Sequence, residues 1–304
     1  MKVYLNKINE SWIIDRVRKD WYKNNKDIST NLINKSNIFW IISPWVWRSM
    51  PKKALEGKKV LCSHYHFDFN NFDEKDFYQL DRYVNEYHVI SLKTKKQLEK
   101  LTDKKITSIP FWINQKNFYY IENKVRLREK FGFKSNQYLV GSFQRDTESS
   151  DLKSPKLIKG PDIFLDIVLK LNHEINNLCV VLAGKNRNYL IENFEKNNIN
   201  YKYFEMADSK TINELYNILN IYIVSSRIEG GPQAILEAAY TKTPIVSTDV
   251  GVAAEILSSE SIFDNNNFNN SKPNIQFAFD NSKNFIIPNG MNKFRTLLDG
   301  LNES

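Results

Sequence analysis

Short apolar runs alternate with amphipathic stretches along the whole chain. In the first half, runs bounded by polar or turn residues predict strands at Lys2–Asn6, Ile38–Ile42, Lys59–Ser63, His88–Ser91 and Ile106–Pro110. Between them, apolar residues recur at helical spacing, most plainly over Ser11–Tyr22 and Thr94–Leu101. The second half repeats the scheme, with strands at Tyr138–Ser142, Leu178–Ala183, Ile221–Ser225 and Pro244–Ser247. Its helices are expected at Pro161–Leu171, Tyr189–Asn197, Ile212–Leu219 and Pro232–Tyr240. Strand–helix alternation means right-handed crossovers, and so parallel sheets covered by helices on both faces. The expected fold is α/β: two doubly wound domains facing across a cleft, the N-terminal one short. They span 1–132 and 136–290, with a C-terminal helix in 291–304 centred on Met291–Leu301. Residues 258–290 are Asn-rich and read as loop with at most short strands.

A chain of 304 residues is long enough for two cores. With 41% hydrophobic and 26% charged residues, it falls outside the disordered, collagen-like and coiled-coil classes. Cys62 and Cys179 lie far apart in apolar runs, which supports neither a disulfide framework nor a zinc site and points to a reducing, cytoplasmic compartment. The start of the chain has no signal-peptide core, and the stretch Phe39–Trp47 is too short to span a bilayer. Charge is uneven: residues 1–135 carry 27 Lys and Arg against 15 Asp and Glu, the remainder 16 against 20. All six tryptophans also lie in the basic half. That asymmetry suits an anionic membrane surface, a phosphorylated substrate or nucleic acid as partner, or simply a solvated lysine-rich face.

Ligands of doubly wound sheets collect beyond the carboxyl ends of the strands. The informative turn there is Ser225–Ala239, where a buried strand ends in small polar residues. Glu229, Gly230 and Gly231 follow, and Pro232 stands where a first helical residue is expected. Two glycines let a backbone approach a ligand closely, and a helix N-terminus attracts an anion. Glu229 before the helix and Glu237 within it then flank an anion site, a layout that fits a ligand with hydroxyls at both ends and a diphosphate between. An ordinary helix with acidic residues near its start would show the same two glutamates.

The same residues resemble the retaining glycosyltransferases of family 4, also called group 1, which have the GT-B fold of two Rossmann-like domains. Glu229 and Glu237 match that family's Glu-x7-Glu signature. Five further blocks follow the family's order: Tyr87–Leu98, Ile109–Phe118, Val140–Arg145 with Lys159-Gly160, Leu182–Gly184, and Thr243–Gly251 with Glu255. The resemblance implies a nucleotide-sugar donor held mainly by residues 136–257, and a saccharide or lipid-linked acceptor on the basic half. Glu237 would hold the ribose, Glu229 the donor sugar, and Arg145 with Lys159 the diphosphate. Gly230, Gly231 and Pro232 would line the transferred sugar and diphosphate, with Gly184 in the family's turn after the neighbouring strand. It implies no metal and no other cofactor, and the sequence has no Asp-x-Asp.

Two departures leave alternatives open. Between Arg145 and Lys159 lies a long insert, Asp146–Ile158, in which Lys153 or Lys156 could take the place of Lys159. After the first strand, Lys7–Trp12 replaces the family's Gly-Gly loop. At the end of a first-half strand, His64 aligns with a histidine the family often places near the leaving phosphate; it reads equally as a structural histidine. Ile38–Lys53, with Trp40, Trp45, Trp47 and Arg48, suits either a buried strand with its loop or a membrane interface. The rival readings are a non-catalytic nucleotide- or sugar-binding module of the same fold and a nucleic-acid binder. No nucleic-acid motif is present, and no Gly-x-Gly-x-x-Gly turn supports a nicotinamide-dependent enzyme.

Overall fold

The computed structural model describes residues 1–7, 13–264 and 267–304. Trp12, the expected helix start at Ser11, most of the Lys7–Trp12 loop and Asn265-Asn266 lie outside the described residues. The chain forms two compact units, Met1–Asn114 with Phe285–Ser304, and Gln115–Asn284.

The first unit contains β1 (Val3–Leu5), α1 (Ile13–Asn24), β2 (Ile38–Ile41), α2 (Lys52–Leu55), β3 (Lys59–His64), α3 (Glu74–Asp81), β4 (Glu86–Val89), α4 (Leu92–Leu98) and β5 (Ile106–Ser108). Its five strands pair in parallel in chain order, β1-β2-β3-β4-β5. Crossovers running in one direction would place every helix on one face, yet α1 packs against the opposite face from α2, α3 and α4. The reason lies outside β1. After α1 the chain first runs beside β1's free edge, where Val3 N donates to Ile28 O at 2.7 Å and Thr30 N to Val3 O at 3.0 Å. It then crosses back to β2. One crossover therefore runs outward and the rest inward, which covers both faces.

The second unit contains α5 (Lys124–Lys130), β6 (Tyr138–Ser142), α6 (Pro161–Glu174), β7 (Leu178–Ala183), α7 (Asn188–Lys196), β8 (Tyr201–Phe204), α8 (Ser209–Ile218), β9 (Ile221–Val224), α9 (Gln233–Tyr240), β10 (Ile245–Thr248), α10 (Ala253–Ile256), β11 (Ile262–Phe263) and α11 (Ile275–Ser282). The parallel order is β11-β10-β9-β6-β7-β8, so direction reverses between β6 and β9. Strands β7, β9 and β10 are buried along their whole length; continuous apolar runs marked β7 and β9, while β10 ends in buried Ser247 and Thr248. Edge strand β8, Tyr-Lys-Tyr-Phe, is only half-buried and has no such run.

The last helix, α12 (Asn289–Glu303), belongs to the first unit. Met291, Phe294, Leu298 and Leu301 bury themselves against Trp21, Trp40 and Trp112, each contributing about 1.5–3 kcal/mol. The chain leaves this unit after Asn114 and returns beside its own exit: Ile113 N donates to Phe285 O at 2.8 Å and Ile287 N to Ile113 O at 3.1 Å. The division thus falls at 114/115 and 284/285, rather than at the expected 132–136 and 290/291. Residues 115–132 join the second unit because Phe118 packs on Tyr216 of α8, Tyr119 N donates to Asn213 Oδ1 at 2.9 Å, and Ile121 N to Asn217 Oδ1 at 2.7 Å. The expectation of loop over 258–290 also needs correction. It holds α11, capped by the Asn274 side chain, which accepts from Phe277 N at 3.1 Å. Its short, half-exposed pattern hid it.

Candidate functional site

The reversal between β6 and β9 opens the crevice where a ligand of such a sheet belongs. Strand β6 is followed by Phe143-Gln144-Arg145, β9 by Ser225-Ser226-Arg227. Between them stands the turn Leu157–Lys159 with Gly160, which leads into α6. Gly160 has φ +61, and a Cβ there would lie 1.8 Å from the Ser225 carbonyl oxygen. Ser225 Oγ in turn donates to Gly160 O at 2.8 Å. Only glycine permits this approach, and it brings Lys159 against the β9 loop. Gly160→Ala is expected to lose about 3 kcal/mol or more, from left-handed backbone strain plus overpacking. Chemical denaturation measures this, and a change below about 1 kcal/mol would contradict the packing described.

Lys159 Nζ meets Glu229 Oε1 in a short ion pair, with both side chains largely buried. Ser226 Oγ lies 3.4 Å from the same carboxylate oxygen and donates to Gln144 Oε1 at 3.1 Å, while Gln144 Nε2 donates to Lys159 O at 2.9 Å. The backbone is braced as well: Arg227 N and Ile228 N both bond to Ile158 O, at 2.9 and 3.1 Å. The Arg227 guanidinium forks onto Asp162 at 2.7 and 2.6 Å, and Asp162 is held below the usual carboxylate range chiefly by that bond. The insert's other lysines stand elsewhere: Lys156 pairs with Glu148 at 2.8 Å and Lys153 is exposed. Among the three lysines left open by the sequence, the structure sets Lys159 against Glu229.

Glu237 lies on α9, almost fully buried, and its Oε2 is 3.4 Å from the Tyr216 hydroxyl of α8. Pro232 is the residue before the first helical one, not within the first turn as expected. Gly230 and Gly231 are pressed against another glycine: a Cβ on Gly251 would lie 2.4 Å from Gly230 O and 2.8 Å from Gly231 N. Gly184, with φ +93, turns the chain after β7. Arg145 follows β6, and its Nη1 reaches Ser149 Oγ of the insert at 3.5 Å.

His64 belongs to the first unit, at the end of β3. Its ring stacks on Phe67 at 5.1 Å and leans on Phe77 and Tyr87, each at 5.7 Å. Nε2 is buried with no hydrogen-bond partner among the described residues. Burial, and secondarily the charge of His66, lowers its pKa to about 4, so the imidazole is neutral near pH 7. In the segment Ile38–Lys53, Trp40 and Trp47 are core residues, and Trp47 Nε1 and Arg48 Nε both donate to Asp76 Oδ1, at 2.8 and 2.6 Å. Trp45 is exposed. Gln144, Ser226 and Gly251 fall within segments marked by the sequence, Val140–Arg145, Ser225–Ala239 and Thr243–Gly251, but none was given a role of its own there.

Among the described residues, no three His, Cys, Asp or Glu side chains stand together as metal ligands, and no helix is long and apolar enough to cross a membrane. Over 169 residues the chain is 27% identical to alpha-galactosylglucosyldiacylglycerol synthase of Streptococcus pneumoniae, covering 50% of this chain and 40% of that protein. It therefore spans less than half the length of that relative. The crystal structure of Anabaena Alr3699/HepE in complex with UDP-glucose superposes with a TM-score of 0.74 at 12% identity, covering 98% of this chain and 99% of the other. Staphylococcus aureus TarM, solved with fondaparinux, alpha-GlcNAc-glycerol and UDP, gives 0.67 at 14% identity, covering 95% of this chain and 58% of the other. The two parallel α/β sheets are those of the GT-B fold, and residues 154–285 match the family model of the glycosyl transferases group 1.

Proposed function

We propose that the protein is a glycosyltransferase that takes a sugar from a nucleotide-sugar donor bound at the β6/β9 crevice. The acceptor is a glycan or lipid-linked saccharide, the anomeric configuration is retained, and no divalent metal takes part. The observation that carries this reading is the Lys159–Glu229 pair at the sheet's reversal, with Glu237 on the helix that follows. In this reading Glu237 holds the ribose and Glu229 the donor sugar's hydroxyls. Lys159 and Arg145 face the diphosphate, Gly184 turns the neighbouring loop, and Gly230, Gly231 and Pro232 bring the start of α9 to the ligand. As the glycosidic bond breaks, its electron pair moves to the phosphate oxygen. A fixed cation and a helix N-terminus stabilise that charge without reorganising. The acceptor oxygen forms the new bond on the same face and gives its proton to the departing phosphate. His64 of the first unit, its imidazole neutral near pH 7, enters this reading as a positioning residue rather than a charged one.

Solved structures of similar fold that hold UDP-glucose or UDP support a uridine diphosphate donor. The relative named for a galactosylglucosyldiacylglycerol supports a lipid-linked acceptor, and exposed Trp45 and Phe69 support peripheral contact with an anionic membrane. Thermal-shift titration with UDP, GDP and ADP is expected to show stabilisation by one of them, weakened at least tenfold by Glu237→Ala. Sugar transfer is expected to persist in EDTA. Stabilisation by none, or loss of transfer in EDTA reversed by magnesium or manganese, would overturn the corresponding part.

A further inference from the structure

A second ion pair stands just behind the crevice, in the low-dielectric interior. Arg187, in the turn between β7 and α7, places Nε 3.1 Å from Asp146 Oδ2, and the two side chains are 0% and 2% exposed. Arg187 Nη2 also reaches Ser142 Oγ at the end of β6, at 3.3 Å. Asp146 immediately follows Arg145. Around the pair, the loop after β6 is sewn to the loop after β7: Asp146 N and Thr147 N donate to Asn186 O at 3.0 and 3.2 Å, and Thr147 Oγ1 donates to the same oxygen at 2.7 Å. Asp146 O accepts from Lys156 N at 2.7 Å, closing the insert on itself three residues before Lys159. The stem that carries Arg145 at one end and Lys159 at the other thus has its root at a buried charge pair.

We infer that Arg187, through Asp146, is a positioning residue that sets the insert's root so that Arg145 and Lys159 face the donor diphosphate. The inference rests on the donor-site reading above. An apolar pair of similar volume would hold the two loops together equally well, and replacing buried ion pairs in this way is often neutral or stabilising. What an apolar pair lacks is direction. Arg187 Nε and Asp146 Oδ2 meet as charges without an aligned hydrogen bond among the described residues, so direction comes from the bond of Arg187 Nη2 to Ser142 Oγ at the end of β6, and a misplacement of about 1 Å at a reacting group costs as much as a hundredfold in rate.

The experiment separates folding from placement. Full-length protein is compared with Asp146→Asn, Arg187→Lys, the double variant Asp146→Leu/Arg187→Met, and Arg145→Ala. Each is measured for Tm, for UDP affinity by calorimetry (GDP or ADP if one of these stabilised the protein), and for kcat and KM with the matching nucleotide-sugar. The double variant is expected to keep the wild-type Tm within a few degrees yet bind the diphosphate about tenfold more weakly, approaching Arg145→Ala. Asp146→Asn, nearly isosteric, keeps the test open if the double variant fails to fold, and Arg187→Lys is expected to recover part of the affinity. Wild-type affinity in a folded double variant or in Asp146→Asn, beside a loss in Arg145→Ala, would overturn the inference and leave the donor site standing. Wild-type affinity in Arg145→Ala would overturn it too, since Arg187 would then have nothing to position. No binding of any nucleoside diphosphate by the unaltered protein would overturn the donor-site reading itself.

Discussion

Replacing Lys159 with alanine is expected to lower kcat/KM for sugar transfer by about 10²–10³-fold, the usual cost of removing one preorganised partner of a developing charge. The expectation follows from where the ammonium is held. The Gly160–Ser225 contact presses the Lys159 backbone against the end of β9, Gln144 Nε2 bonds to its carbonyl, and Glu229 takes its Nζ. In the proposed donor site, an arriving diphosphate would meet a cation already placed beside Glu229. Glu229→Gln keeps the shape and removes the charge, so it tests whether the carboxylate also orients the sugar. Its loss is expected mainly in kcat. Lys156→Ala is the control, because that lysine is engaged by Glu148 of the insert rather than by Glu229; its activity is expected within about threefold of wild type. Equal losses in Lys156→Ala and Lys159→Ala, or none in either, would remove Lys159 from the site.

Acidification from pH 7 to pH 4 is expected to remove about 3 kcal/mol of stability through His88 alone, whose pKa burial lowers from the ordinary 6.5 to about 4. His88 is fully buried, faced by the rings of Trp40, Phe111 and Phe294. Its Nε2 lies 2.7 Å from Ile109 O, which only accepts, so Nε2 carries the proton. Nδ1 then accepts from Ser63 Oγ at 2.9 Å, and Ser63 Oγ accepts from Trp40 Nε1 at 2.8 Å. The neutral ring is satisfied on both sides, and a second proton would be placed in an apolar core against a hydroxyl already engaged. In the unfolded chain the ring binds that proton near 6.5, in the folded chain only near 4. Between these values the unfolded state holds more protons. The contribution is therefore complete above pH 6.5 and disappears as pH falls toward 4. His64 titrates in the same window and the same direction. His88→Gln, able to serve both neighbours, is expected to flatten the pH dependence of denaturant-measured stability by about half. An unchanged slope would show that the ring is charged or solvated in the folded protein.

Local composition carried much of this structure. Leu178–Ala183 and Tyr138–Ser142 are strands with the limits expected: the first is buried and apolar throughout, a condition visible residue by residue, and the second centres on the buried pair Leu139-Val140. The same logic missed Tyr201–Phe204, an edge strand facing partly to solvent, and Ile275–Ser282, a short helix that buries little beyond Ala278. Domain limits were less legible. A pause in the strand pattern marks where a sheet begins, whereas unit membership follows contacts such as Phe118 on Tyr216.

For the site, the amino-acid order by itself determined that two glutamates bracket a glycine-rich turn after a buried strand, and which cations were available. Only the tertiary structure set Lys159, rather than Lys153 or Lys156, against Glu229, enclosed His64 among aromatic rings, and brought Asp146 to Arg187. The physical reason is distance along the chain. Propensity and periodicity act within a few residues, while an ion pair joining positions 159 and 229, or 146 and 187, exists only once a sheet has brought its strand ends side by side.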